Sequence, residues 1–259
     1  MIEVQQATPG TVDPDTLPRL SSGELDVMVI RGAFPQTQMN ALIASIQENR
    51  LGLRLRPQES PSLGAAQVSV LGVPVSPSDM APTGPDPGEY ESQREAVRAA
   101  LQSAGQGTLI DGMGWLLTLA GGRAAQLAPG YAPCTLRSVP SGRGMGPHCE
   151  NLYHQIAVYA GLRAGTAILD QGSFFVVIDA GEAGGALRLY DHRWSPGAQN
   201  ILSNPGPFVE VSAQAGDMVL LAAGRRFHSV SPVEGPRPRW TIGGFWAPTK
   251  DHQATWFWG

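Results

Sequence analysis

The chain has 259 residues, 42% hydrophobic and only 15% charged, so it holds enough apolar surface for a packed core and too little charge for a disordered chain. Net charge is −4, Lys250 is the only lysine among 18 basic residues, and no Lys/Arg run exceeds two, which excludes the basic face of a nucleic-acid binder. Two cysteines, Cys134 and Cys149, are too few for a disulfide framework, and no run of about 18 apolar residues predicts a membrane span. The opening MIEVQQATPG has neither the basic nor the apolar region of a secretory signal, so the expectation is a reducing, cytoplasmic compartment with no membrane partner.

In chain order, residues 26–31 read as a short apolar strand. A helix is predicted at about 37–49, where Met39, Leu42, Ile43 and Ile46 fall on one face. Residues 57–88 hold seven prolines and four glycines and read as one long irregular loop, of the kind that forms lids or surface insertions. Two further helices are predicted, from Glu89 to about Ser103 and over 109–119, the second stopped by Gly121 and Gly122. From about 132 the texture changes to short branched and aromatic runs between Gly, Pro and Asn turns. Strands are predicted at 134–139, 147–159, 165–169, 173–179, 185–190, 207–211, 217–222, 228–233 and 238–246, the signature of a sandwich or barrel. The fold class is therefore mainly β with α additions. A single domain is expected over 1–259, with residues 1–131 as N-terminal α/β support and 132–259 as the β core.

The chemistry concentrates in two segments. In Gly146-Pro-His-Cys-Glu-Asn151, a strand would turn His148 and Glu150 to one face and Cys149 to the other. An imidazole and a carboxylate side by side make two ligands for a divalent first-row metal. The second segment runs from Phe227-His228 through Arg237 and Arg239 to Trp246, a distal histidine followed by arginines that lead into a strand. Strand parity gives both arginines the same face and does not choose between them. His154 shares the parity of His148 and Glu150, and Thr135 and Arg137 share one face of the preceding strand. Cys149 reads as a small buried hydrophobe.

These segments resemble the Fe(II)/2-oxoglutarate-dependent oxygenases, a jelly-roll family with an H-x-D/E…H triad. His148, Glu150 and His228 match the metal ligands, and Arg239-Trp-Thr-Ile matches the arginine-headed strand that grips the distal carboxylate of 2-oxoglutarate; Arg237 fits the family's G-x-R spacing and is the second choice. Gly184-Gly-Ala-Leu-Arg-Leu-Tyr190 resembles the family's G-G-x-L-x-L strand. The resemblance implies a double-stranded β-helix (jelly roll) core with N-terminal helical support. It implies Fe(II), 2-oxoglutarate and O2 as the cofactor set. Two imidazoles and one carboxylate leave three coordination sites, two for the 2-oxo acid and one for O2. The implied reaction is hydroxylation of a small molecule, an amino acid or a biosynthetic intermediate, with decarboxylation of 2-oxoglutarate to succinate. Arg137 joins the co-substrate candidates; His154, Asn151, Asp191 and Trp194 are candidate substrate contacts. Most members carry aspartate where this chain has Glu150, and related halogenases carry a small residue there to admit a halide, so the carboxylate weighs against halogenation. The competing readings are a non-redox cupin-like metalloenzyme and a catalytically silent jelly-roll binding module.

Overall fold

The computed structural model describes residues 1–52, 55–58, 68–72, 86–152, 154–195 and 205–259. The N-terminal part contains β1 (Val4–Ala7), α1 (Thr16–Ser22), β2 (Val27–Ile30), α2 (Gln36–Gln47), β3 (Leu55–Gln58), β4 (Val68–Leu71), α3 (Pro87–Ser103), α4 (Gly107–Gly121) and β5 (Ala125–Leu127). Then come β6 (Thr135–Val139), β7 (Met145–His148), α5 (Ala160–Gly165), β8 (Gly172–Asp179), β9 (Ala183–Gly184), β10 (Leu187–Arg193) and β11 (Phe208–Val211). The chain ends in β12 (Met218–Leu221), β13 (Arg226–Val230), β14 (Val233–Glu234), β15 (Arg239–Pro248) and β16 (Thr255–Trp258).

Among the described residues the strands build two facing sheets and a separate two-stranded ribbon, β9–β14. The larger runs β1-β2-β12-β8-β15-β6-β4-β3, with β16 and β5 joined at β15, and the smaller runs β11-β10-β13-β7. Side-chain alternation on the central strands explains the layering. Phe174, Val176, Leu220, Ile242 and Trp246 turn outward and pack with Leu42, Leu101, Leu109 and Leu116 of the helices. Val219 and Leu221, from the intervening positions, turn inward to meet Leu187 and Leu189 of the smaller sheet. Both faces of the larger sheet are thus covered, which is why β2 and β12 are buried at every residue. This is the expected jelly roll with helical support.

The helices at 36–47, 87–103 and 107–121 match the sequence reading closely, and Gly122 ends α4 in the left-handed conformation at φ 60°. Three expectations need correction. The predicted strand 147–159 stops at His148; Glu150–Leu152 and Ala157–Tyr159 are 3-10 turns. The predicted strand 165–169 is instead the end of α5 and a 3-10 turn, Ile168–Asp170. The 57–88 segment is not one irregular loop, because β3 and β4 pair antiparallel and extend the larger sheet through β6. The remainder of that segment up to residue 85 lies outside the described residues. Neither cysteine is in a disulfide, and both are buried. No helix among the described residues is long and apolar enough to cross a membrane.

Candidate metal and co-substrate site

An open cavity of about 650 Å³, mouth included, lies between the two sheets. Alternate residues of three strands of the larger sheet line it: Thr135, Arg137 and Val139; Ser173 and Phe175; Arg239, Thr241, Gly243 and Phe245. The smaller sheet contributes Leu187, His228, Val230, Met145 and His148, and Glu150 follows from the turn.

His148 ends β7 directly across from His228 on β13, in register. Their rings lie 4.3 Å apart between centroids. Each Nδ1 sits on a main-chain carbonyl two residues back, His148 on Gly146 at 2.8 Å and His228 on Arg226 at 3.0 Å. A carbonyl only accepts, so each Nδ1 carries the proton and each Nε2 presents a lone pair to the cavity. Nε2 of His148 is 3.5 Å and Nε2 of His228 is 4.0 Å from Oε1 of Glu150. One ion with bonds of about 2.1 Å spans such gaps. His148, Glu150 and His228, all buried, are the cluster among the described residues that could hold a metal ion as a facial triad.

Glu150 reaches this point through its turn rather than through strand parity. Its N–H donates to the carbonyl of Ala223 at 3.0 Å, and its own carbonyl accepts Nε2–H of Gln171 at 3.0 Å. Gln171 also donates to Oδ1 of Asn151, while Nδ2 of Asn151 donates to the carbonyl of Leu169 at 2.9 Å. Cys149 points away and packs with Tyr190 and Phe227.

The protonation states suit metal binding. Burial and the neighbouring His148 push the pKa of His228 down to about 4, against the pull of Glu150, so its ring is neutral near pH 7. Burial raises the pKa of Glu150, but the adjoining His148, then His228 and Arg137, outweigh it and leave the carboxyl below its ordinary value. A neutral imidazole at His228 and an ionised carboxylate at Glu150 are the forms in which these side chains ligate a metal.

Arg239 is 7% exposed, and its guanidinium lies 5.2 Å from the Phe175 ring centroid. Burial lowers its pKa to about 10, still charged near neutrality. It makes no ion pair among the described residues. Gly185, at φ +65°, leaves it room: a Cβ there would come within 2.8 Å of its Cδ. Arg137 lines the same cavity closer to Glu150, with which it interacts electrostatically, and its buried Nε has no hydrogen-bond partner. Two cavity arginines against one carboxylate leave a surplus of positive charge before any metal is counted. A divalent iron and a dianionic 2-oxo acid fit that donor set.

Arg237, by contrast, is 56% exposed and pairs with Asp179 at 3.2 Å and Glu182 at 3.6 Å outside the cavity. Four other sequence candidates lie off the cavity wall. His154 is in a turn after the strand has ended, with Nδ1 on the Asn151 carbonyl at 2.5 Å. Asn151 braces the turn, exposed Asp191 accepts from Arg226 at 3.1 Å, and Trp194 packs on the Cys149 cluster. Sequence reasoning missed Gln171, whose side chain braces the Glu150 carbonyl from 21 residues away in the chain.

A family model described as "Carrier-protein-independent halogenase WelO5" matches residues 2–259. The chain belongs to this family. No curated protein sequence matches it. Among solved structures, the WelO5-family chain is similar to an N-substituted L-amino acid dioxygenase from Burkholderia ambifaria, with 15% identity and TM-score 0.58 over 96% of this chain and 92% of that one. It is also similar to the 2-oxoglutarate-dependent epimerase SnoN of nogalamycin biosynthesis, at 14% identity and TM-score 0.54 over 91% and 86%. A Pseudomonas putida prolyl-4-hydroxylase aligns at 15% identity and TM-score 0.50 over 90% and 98%. At such identities the likeness is one of fold. The cofactor set of the WelO5-family chain is that of the Fe(II)/2-oxoglutarate oxygenases: iron, 2-oxoglutarate and O2.

Proposed function

We propose that this member of the family hydroxylates an unactivated C–H bond of a small molecule, converting 2-oxoglutarate to succinate and CO2, and does not halogenate. The observation that carries the reading is the carboxylate of Glu150, buried between the two imidazoles. A halide needs a coordination position of its own, and with a metal bound Glu150 would fill the third protein-side position.

His148, His228 and Glu150 would hold the iron, which supplies the O2 chemistry once 2-oxoglutarate is bound. Arg239 takes the distal carboxylate of the co-substrate, the charge its buried guanidinium otherwise lacks. Arg137, nearer the triad, neutralises the carboxylate end next to the metal. Met145, Val139, Val230 and Leu187 form apolar wall, so the substrate meets the centre with an apolar C–H face and water is excluded there.

The test needs no known substrate. Anaerobic protein carrying Fe(II) and 2-oxoglutarate is titrated with chloride and bromide while the visible charge-transfer absorption is followed, alongside Glu150→Gly. The reading expects no halide effect in the natural protein and a halide-dependent shift in the glycine variant. A halide shift in the natural protein would overturn it.

A further inference from the structure

Behind the triad lies a buried ion pair that touches neither the cavity nor any reacting group. Arg226 is 1% and Asp26 2% exposed. Nε and Nη2 of Arg226 donate to the two carboxylate oxygens of Asp26 at 2.8 Å each. The pair joins the two sheets, since Asp26 immediately precedes β2 and Arg226 begins β13. Desolvating two charges offsets most of what such a pair gains, so stability alone is a weak reason for it.

Its position suggests another role. The carbonyl of Arg226 is the acceptor that orients the ring of His228. The ladder around it is irregular on both sides of His228. Against β10, the pairs Leu189↔His228 and Arg193↔Arg226 advance four residues on one strand for two on the other. Against β7, His228↔His148 and Val230↔Met145 are also out of step. The side chain of Arg226 bridges the first irregularity, with Nη1 donating to the Tyr190 carbonyl at 3.3 Å and to Asp191 Oδ1 at 3.1 Å. Asp26 is itself held: Oδ2 accepts the Glu3 N–H at 2.9 Å, and its carbonyl accepts the Ala222 N–H at 3.0 Å.

We infer that the Asp26–Arg226 pair is a positioning device for the metal centre, transmitting the rigidity of the larger sheet to the ring of His228. The inference rests on the triad's being a metal site. Arg226 and Asp26 are positioning residues, acting only through His228. Partners that orient a ligating histidine in this way typically change metal affinity by about 10–100-fold when removed.

The experiment compares Asp26→Asn with Asp217→Asn. Asp217 is also a buried carboxylate, 5% exposed, bonded to Arg31 at 2.6 Å and to the Gly32 and Gln214 amides at 2.9 Å, but it does not lead to a ligand. Both variants lose thermal stability. Metal-free folded protein is titrated anaerobically with Fe(II), and then with Co(II) for its visible ligand-field spectrum. Asp26→Asn is expected to weaken Fe(II) binding about tenfold or more and to alter the Co(II) spectrum, while Asp217→Asn changes neither. Arg226→Lys, which keeps charge but loses the two-pronged grip, is expected to behave like Asp26→Asn. Natural affinity and spectrum in folded Asp26→Asn, or an equal loss in Asp217→Asn, overturns the inference. If neither Asp26→Asn nor Arg226→Lys folds, amide exchange in the natural protein decides. Zn(II) loading then slows exchange at Glu3 and leaves Gln214 unchanged, and no change at Glu3 overturns the inference. Failure of the natural protein to bind any of these ions would instead overturn the triad reading.

Discussion

Arg239→Gln removes one of the two cavity arginines while keeping a polar side chain. The structure gives that guanidinium no competing ion pair among the described residues, and at 7% exposure solvent does little to screen it. A charge-assisted hydrogen bond in such a site contributes about 1.5–3 kcal/mol. With about 1.4 kcal/mol per decade, 2-oxoglutarate affinity should fall about 10- to 100-fold. Calorimetric titration of 2-oxoglutarate into anaerobic Fe(II)-loaded protein reads this directly, and Fe(II) binding itself should be unchanged. Arg237→Gln is the internal comparison. Its guanidinium is 56% exposed and already shared between Asp179 and Glu182, so the same titration should match the natural protein. Equal affinity in Arg239→Gln, or the larger loss in Arg237→Gln, would refute the assignment of the clamp.

Gly185→Ala should loosen the same contact from the other side. It forces a side chain at φ +65°, and the new Cβ crowds Arg239 Cδ at 2.8 Å, so 2-oxoglutarate affinity should drop with a backbone strain of about 1–2 kcal/mol; unchanged affinity would contradict the close approach. A pH effect follows from His228. Its folded pKa of about 4 lies below the ordinary 6.5, so the unfolded chain takes up the proton first as pH falls. The stability it contributes is complete above pH 6.5 and is lost between about 6.5 and 4, at most about 3 kcal/mol. Melting curves of metal-free protein across this range should show a steeper acid loss than His228→Gln, and parallel curves would contradict the shift.

The candidate metal cluster His148, Glu150 and His228 is legible in the sequence because its residue types and order survive any local error in geometry. Strand parity, however, does not account for the pairing of His148 with Glu150. The strand ends at His148, and Glu150 is placed by its turn, its N–H donating to the Ala223 carbonyl and its own carbonyl accepting from Gln171 Nε2. The same parity wrongly puts His154 on the cavity face. Parity also failed to separate Arg237 from Arg239, because β15 begins at Arg239 and Arg237 is still in the preceding turn. The helices were legible through their apolar spacing, but the β3–β4 pairing was hidden by the prolines around it. Asp26 and Gln171 act across 200 and 21 residues of chain, and local spacing carries no trace of such contacts.

The most direct test of the account is an anaerobic titration of metal-free protein, first with Fe(II) and then with 2-oxoglutarate, watched for a weak visible charge-transfer band. The account predicts a band in the natural protein that is absent in His228→Ala. Bound iron without that band, or a band that survives in His228→Ala, would contradict the triad and the co-substrate reading together.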